Sequence, residues 1–286
     1  MSEVKAEKTE AKPKNIIGVF DSGLGGLTIF KHFLQKLPGY NYIYLGDNAR
    51  LPYGSKSPET IYNYTKEAVG FLFKEGCNLI IIACNTASAQ ALRRLQQEYL
   101  PKHYPNRRLL GVIRPIAEAV AHDKKYKHVG VIGTKATINS AAYKTELQKL
   151  NPALEVTQQS APLLVPLIEE GWLKKPETKM ILKKYLRPLK TKQIDALILA
   201  CTHYPFLYKE IDNITGKRIK VLHPGEIIAA SLKDYLSRHS ELELKPEKTP
   251  KIQYYTTDDP TSFQNLAENF LNQKINKINQ ANISEF

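Results

Sequence analysis

The chain has 286 residues, 42% hydrophobic and 24% charged, enough to bury one large core or two ordinary ones in a water-soluble globular protein. No apolar run approaches the roughly 18 residues a membrane helix needs, and the first residues lack the apolar block of a secretory signal, so a cytoplasmic location with no membrane partner is expected. A balance of 41 Lys+Arg against 28 Asp+Glu leaves +13, which favours anionic partners. The basic residues are scattered, however, with no zinc-finger spacing, aromatic RNA-binding strand or heptad repeat, so solvated lysine is a better reading than a nucleic-acid surface.

Residues 1–14, MSEVKAEKTEAKPK, carry almost nothing apolar and are expected to form a disordered tail, with the fold starting at Asn15. From there short apolar runs alternate with longer helical patterns: IIGVF, LTIFKHFLQKL, YIYLGD, TIYNYTKEAVGFLFKEG, LIIIAC and ASAQALRRLQQEYL. In the fourth of these Ile61, Tyr64, Ala68, Phe71 and Leu72 recur at helical spacing. LIIIAC is apolar at consecutive positions, which implies a strand buried on both faces of a parallel sheet and an α/β class.

The pattern then restarts. HVGVIGTKATINS (128–140) echoes NIIGVFDSGLGG (15–26), and DALILACTHYP (195–205) echoes CNLIIIACNTAS (77–88). Gly18 to Gly130 is 112 positions and Cys84 to Cys201 is 117, offsets close enough to imply two similar α/β lobes. The C-terminal stretch NFLNQKINKINQANISEF reads as a helix fading into a tail.

Three cysteines, odd in number and unpaired in spacing, point to reduced thiols. Cys77 has no polar company and reads as a small buried hydrophobe. Cys84 and Cys201 each stand at the carboxyl end of an apolar strand, where parallel sheets bind ligands. Facing lobes would therefore present two thiols to one cleft. A disulfide is disfavoured in a reducing compartment, and a metal site using His203 or His223 lacks supporting spacing. Acid/base work on opposite faces of one carbon remains, and racemisation is a reaction with that symmetry. Helix N-termini beyond the two cysteines would favour thiolate, and Asp21 and His203 are placed to assist one thiol each.

Two turns add polar groups. FDSGLGGLT (20–28) is a strand, a glycine-rich turn and a helix, offering backbone N–H groups to a carboxylate or phosphate. It lacks both the dinucleotide spacing and the Lys-Ser/Thr of a P-loop. The segment YLGDNARLPYGSKS (44–57) carries Pro52, Tyr53, Gly54 and Ser55, either as an ordinary turn or as a holder of a polar ligand over the cleft.

Taken together, GVFDSGLGGL, LGDNARLPYGSKS, ACNTAS, LLVPLIEEG and LACTHYP resemble the glutamate racemases of the cofactor-independent Asp/Glu racemase superfamily, over about residues 15–270. The resemblance implies interconversion of L- and D-glutamate for peptidoglycan synthesis, with neither pyridoxal phosphate nor metal. It implies two lobes related by a pseudo-two-fold axis with the active site between them, residues 15–112 plus 222–286 forming the first and 113–221 the second, and often a homodimer. By position, Cys84 would handle the proton of D-glutamate and Cys201 that of L-glutamate. Asp21 and His203 resemble their respective assistants, and Glu169 matches a further carboxylate. Asp21, Ser22, Pro52, Tyr53, Gly54, Ser55, Asn85, Thr86, Thr202 and His203 would bind the substrate. Arg114 stands where many members have an acid, Ala161 replaces a frequent cysteine, and LHPGE (222–226) departs from the common wording. Two alternatives stand beside this reading. Aspartate racemase is opposed by histidine rather than an acid at position 203, and a basic regulatory protein on the same fold that binds nucleic acid or a DNA-handling enzyme would account for the positive charge.

Overall fold

The computed structural model describes residues 15–271 and 273–284; residues 1–14, the expected tail, lie outside them. Among the described residues, ten strands form two wholly parallel sheets. The first has the order β10-β9-β2-β1-β3-β4, built from β1 (Ile16–Asp21), β2 (Asn41–Gly46), β3 (Cys77–Ile82), β4 (Arg108–Gly111), β9 (Ile252–Thr256) and β10 (Ile278–Gln280). The second has the order β6-β5-β7-β8, from β5 (His128–Gly133), β6 (Glu155–Ser160), β7 (Ala196–Ala200) and β8 (Lys220–Val221).

The sequence echo is a structural repeat. The order β2-β1-β3-β4 recurs as β6-β5-β7-β8. Gly18 of β1 is paired with Ile80 of β3, and Gly130 of β5 with Leu197 of β7. The spacings of 112 and 117 thus reappear in the pairing register. β3 and β7 are buried at every position, as their uninterrupted apolar runs require.

Helices cover the faces. The helix Pro58–Lys74 shows why such segments form: Ser57 caps it by accepting from the Thr60 N–H at 3.2 Å, Pro58 occupies the first turn, and Gly76 just beyond the end has φ 98°. Its apolar stripe, Ile61, Ala68, Val69 and Leu72, is fully buried. The helices Leu27–Lys36 and Ile113–Ala121 both pack against Pro224–Arg238. One continuous apolar core runs from Val19 and Ile81 of the first sheet through Val112 and Ile116 to Val131 and Ile198 of the second.

After β8 the chain returns to the first sheet to supply β9 and β10. Here the structure corrects the reading of the C-terminal stretch. The helix is described over Pro260–Leu271, and beyond it Ile278–Gln280 pairs in parallel with Tyr254–Thr256, with Ile278, Ala281 and Ile283 buried. Three residues are too few to show a period, so the edge strand left no pattern in the sequence. No helix among the described residues is long and apolar enough to cross a membrane.

Candidate active site

The carboxyl ends of β1, β3, β5 and β7 converge on a pocket with about 590 Å³ of empty space, part of it continuous with solvent. Cys84 and Cys201 both line it, 4% and 5% exposed, and neither is in a disulfide.

Cys84 follows β3 and caps the helix Asn85–Gln90, its Sγ lying 3.5 Å from the Ala87 N–H and 3.3 Å from Ser22 Oγ. Burial, reinforced by the negative charge of Asp21, pushes its thiol up to about 12, against the hydrogen bonds from Ser22 and Ala87. The helix terminus expected to favour thiolate is therefore outweighed by desolvation. At neutral pH Cys84 is a thiol, a proton donor in waiting.

Cys201 is dressed differently. No α-helix starts directly after it; a turn leads into the 3-10 segment Tyr204–Leu207. Its company is His203, whose Nδ1 lies 4.0 Å from Sγ, a loose contact even for sulfur, while Nε2 meets the Glu169 carboxylate. Burial opposes charging of the imidazole, but the contacts with Cys201 and Glu169 outweigh it and raise His203 to about 10. The second thiol thus sits beside an imidazolium and the first beside a carboxylate.

Asp21, the last residue of β1, is completely buried. One oxygen accepts from the Gly23 N–H and the other from Thr202 Oγ, each at 3.1 Å, so Asp21 ties the first sheet to the Cys201 turn. Burial pushes its carboxyl up to about 6, although the His203 charge and these hydrogen bonds pull it down. Thr28 Oγ donates to the Thr202 carbonyl at 3.0 Å, a second tie to the same turn. A Cβ on Gly25 would stand 2.5 Å from both His203 Nδ1 and Thr202 Oγ, and one on Gly26 2.5 Å from the Asp21 Cβ. These glycines therefore let the Cys201 turn and Asp21 approach the backbone.

Asn85 Oδ1 accepts from Tyr143 OH at 2.6 Å, leaving its amide nitrogen as a donor. Thr86 Oγ lies 2.9 Å from Thr134 Oγ and 3.2 Å from Thr137 Oγ, a buried hydroxyl cluster joining the two halves of the repeat. The loop over the pocket is fixed from behind: the buried Asp47 carboxylate accepts from Tyr53 OH, from Arg50 Nε at 2.7 Å and from Thr257 Oγ at 2.8 Å. Pro52 follows a cis peptide bond, and Gly54 sits against Thr134, where a Cβ would come within 2.6 Å of the threonine Cβ.

Ser22, Pro52, Tyr53, Gly54, Ser55, Asn85, Thr86, Thr202 and His203 line the pocket with the two thiols. Asp21 and Glu169 stand behind the wall and reach it through Thr202 and His203. His223, considered as a metal ligand, stacks on Tyr208 with ring centres 4.1 Å apart. Arg114 pairs on the surface with Glu118 and Glu146. Sequence reasoning missed Leu51, Thr134, Lys135, Pro162 and Val165, which also line the pocket; the repeat bears on one of them. The repeat carried a signal for Thr134, because it is the counterpart of Ser22 at the 112-residue offset.

Comparison with known proteins gives a consistent picture. The family model described as Asp/Glu/Hydantoin racemase matches residues 23–232. The chain is 41% identical over 259 residues to a glutamate racemase from Chlorobaculum parvum, spanning 91% of this chain and 93% of that protein. Among solved structures, a glutamate racemase from Francisella tularensis in complex with D-glutamate superposes with a TM-score of 0.86 at 36% identity, covering 97% of this chain and all of that one. A glutamate racemase isoform from Bacillus anthracis gives 0.87 at 33% identity, covering 96% and 98%.

Proposed function

Because this chain belongs to the Asp/Glu/hydantoin racemase family and lies among its glutamate racemases, we propose that it interconverts L- and D-glutamate by proton transfer between Cα and two thiols. The single observation behind this reading is that Cys84 and Cys201, 117 positions apart at equivalent strand ends of a repeated sheet, line one pocket.

In the direction from L-glutamate, the Cys201 thiolate, held beside the His203 imidazolium, removes the Cα proton. The electron pair is left on Cα and delocalises into the adjoining carboxylate. Cys84 then delivers its proton to the opposite face, so D-glutamate leaves with Cys201 as thiol and Cys84 as thiolate. The reverse direction uses the same groups in exchanged roles. Ser22 Oγ and the Ala87 N–H steady the Cys84 thiolate when it forms, and the substrate ammonium offsets the Asp21 charge that otherwise raises it. Asn85, Thr86 and Thr202, with the backbone of the Tyr53–Ser55 turn, supply hydrogen bonds to the carboxylates. Glu169 fixes the His203 ring and keeps it charged. The D-glutamate formed serves peptidoglycan synthesis, from the cytoplasmic glutamate pool.

The test is inversion of either enantiomer by the purified protein with no added cofactor, followed in deuterium oxide. Early in the reaction deuterium should appear at Cα of the product and not of the recovered substrate. L-Aspartate at equal concentration should turn over far more slowly. No inversion of glutamate would overturn the function; full activity after Cys84→Ala or Cys201→Ala would overturn the two-thiol assignment.

A further inference from the structure

Lys135 opens the short helix Lys135–Asn139 directly after Thr134, the hydroxyl that meets Thr86 across the pocket. Its side chain is exposed, yet it lines the same pocket as both thiols. Of the pocket-lining residues it alone is a lysine or arginine. It also makes no ion pair with any described residue. On the loop over the pocket, Arg50 is already matched by Asp47 and Glu67, and Lys56, next to Ser55, lies over the Tyr64 ring and does not line the pocket.

The charge balance of the site gives this lysine a task. His203 and Glu169 neutralise one another in direct contact. Asp21 is held by a hydroxyl and a backbone N–H and feels the His203 charge, but it forms no ion pair with a described residue, so the three groups together carry one negative charge. Without Lys135 the walls would therefore be negative, while glutamate arrives with two carboxylates and one ammonium, a net anion. A single charge at the mouth of a cleft with low-dielectric walls acts on such a ligand more strongly than one on open surface.

The geometry points to Lys135 as the residue that recruits the dicarboxylate substrate, attracting it into the pocket and favouring amino acids with a second carboxylate over neutral ones. This rests on the proposed glutamate reaction. The ammonium sits on a long, exposed arm and meets no catalytic group, so its effect belongs to substrate capture and not to proton transfer. Being exposed, it is also screened by salt.

The experiment compares Lys135→Met, Lys135→Arg and Lys135→Glu with Lys184→Met, a surface lysine outside the pocket. kcat/KM for L-glutamate is measured across ionic strength, and the affinity for glutarate by calorimetry. Glutarate keeps both carboxylates but has no Cα ammonium and cannot be racemised. Lys135→Met should lower kcat/KM about three- to tenfold, mainly through KM, with kcat held within about twofold. It should flatten the salt dependence and weaken glutarate by a similar factor. Lys135→Glu should be worse, Lys135→Arg should restore the wild-type values, and Lys184→Met should change nothing. Wild-type kcat/KM, salt slope and glutarate affinity in Lys135→Met would overturn the inference. If the wild type inverts neither enantiomer, the function proposed above falls, and the glutarate arm still decides the role of Lys135.

Discussion

Asp21→Asn should make the protein more stable and less active. The carboxyl is wholly buried, and its value stands at about 6 against the ordinary 3.8. A group raised on folding holds its proton more tightly folded than unfolded, so between pH 3.8 and about 6 stability falls as pH rises. Above that window the folded protein carries the whole penalty of a desolvated charge, about 3 kcal/mol for a difference of this size. Asparagine removes the charge. Its oxygen still accepts from the Gly23 N–H, and the Thr202 hydroxyl has to turn to accept from the new amide, at a cost of about 1 kcal/mol. The net gain near pH 7.5 is about 2 kcal/mol, or about 4 °C in Tm for a chain of this length. It should vanish near pH 4, where the wild-type carboxyl is protonated as well. Scanning calorimetry of both proteins at the two pH values measures this directly. With the neighbouring charge gone, Cys84 should also alkylate faster at mildly alkaline pH, because burial and Asp21 together hold that thiol up. Turnover should fall at least about 100-fold. A variant less stable near pH 7.5, or equally stabilised at both pH values, would refute the argument that Asp21 is held under desolvation strain.

Glu169→Gln should lower the value of His203 from about 10 towards 6.5, because one of the two contacts that outweigh burial loses its charge. In the wild type the stability due to this imidazolium is complete below pH 6.5 and is lost as pH rises through about 10. The variant should lose it earlier, and the alkaline limb of kcat/KM for L-glutamate should move to lower pH; an unmoved limb would remove Glu169 from this role. Gly25→Ala puts a methyl group 2.5 Å from His203 Nδ1 and Thr202 Oγ. Displacement of the Cys201 turn should cut kcat by about tenfold or more while far-ultraviolet circular dichroism stays unchanged. A fully active Gly25→Ala would show that the turn has slack there.

The strands leading to Cys84 and Cys201 were legible because a doubly covered parallel strand has to be apolar at every position, and few other structures impose that run. The repeat was legible for the same reason. What joins the parts was not. Asp47 and Thr257 meet from 210 positions apart, and Asp21 and Thr202 from 181, distances over which composition and periodicity carry no information. The glycines of the FDSGLGG turn read in sequence as an offer of backbone N–H groups to an anion; that Gly23 gives its N–H to Asp21, and that Gly25 makes room for the Cys201 turn and Gly26 for Asp21, could not be read there. Protonation was misjudged at Cys84, since a helix terminus can be read from sequence and the depth of burial that defeats it cannot. Lys135 looked like one more solvated cation among 41 Lys+Arg.

A repeated frame that presents one thiol to a carboxylate and the other to an imidazolium has a kinetic consequence. Mirror-image reactants have identical free energies in water, so the equilibrium constant is one and the Haldane relation forces equal kcat/KM for the two enantiomers. Dissimilar surroundings of the sulfurs can then appear only as a matched change in kcat and KM: whichever hand is bound more tightly must be processed more slowly at saturation, by the same factor.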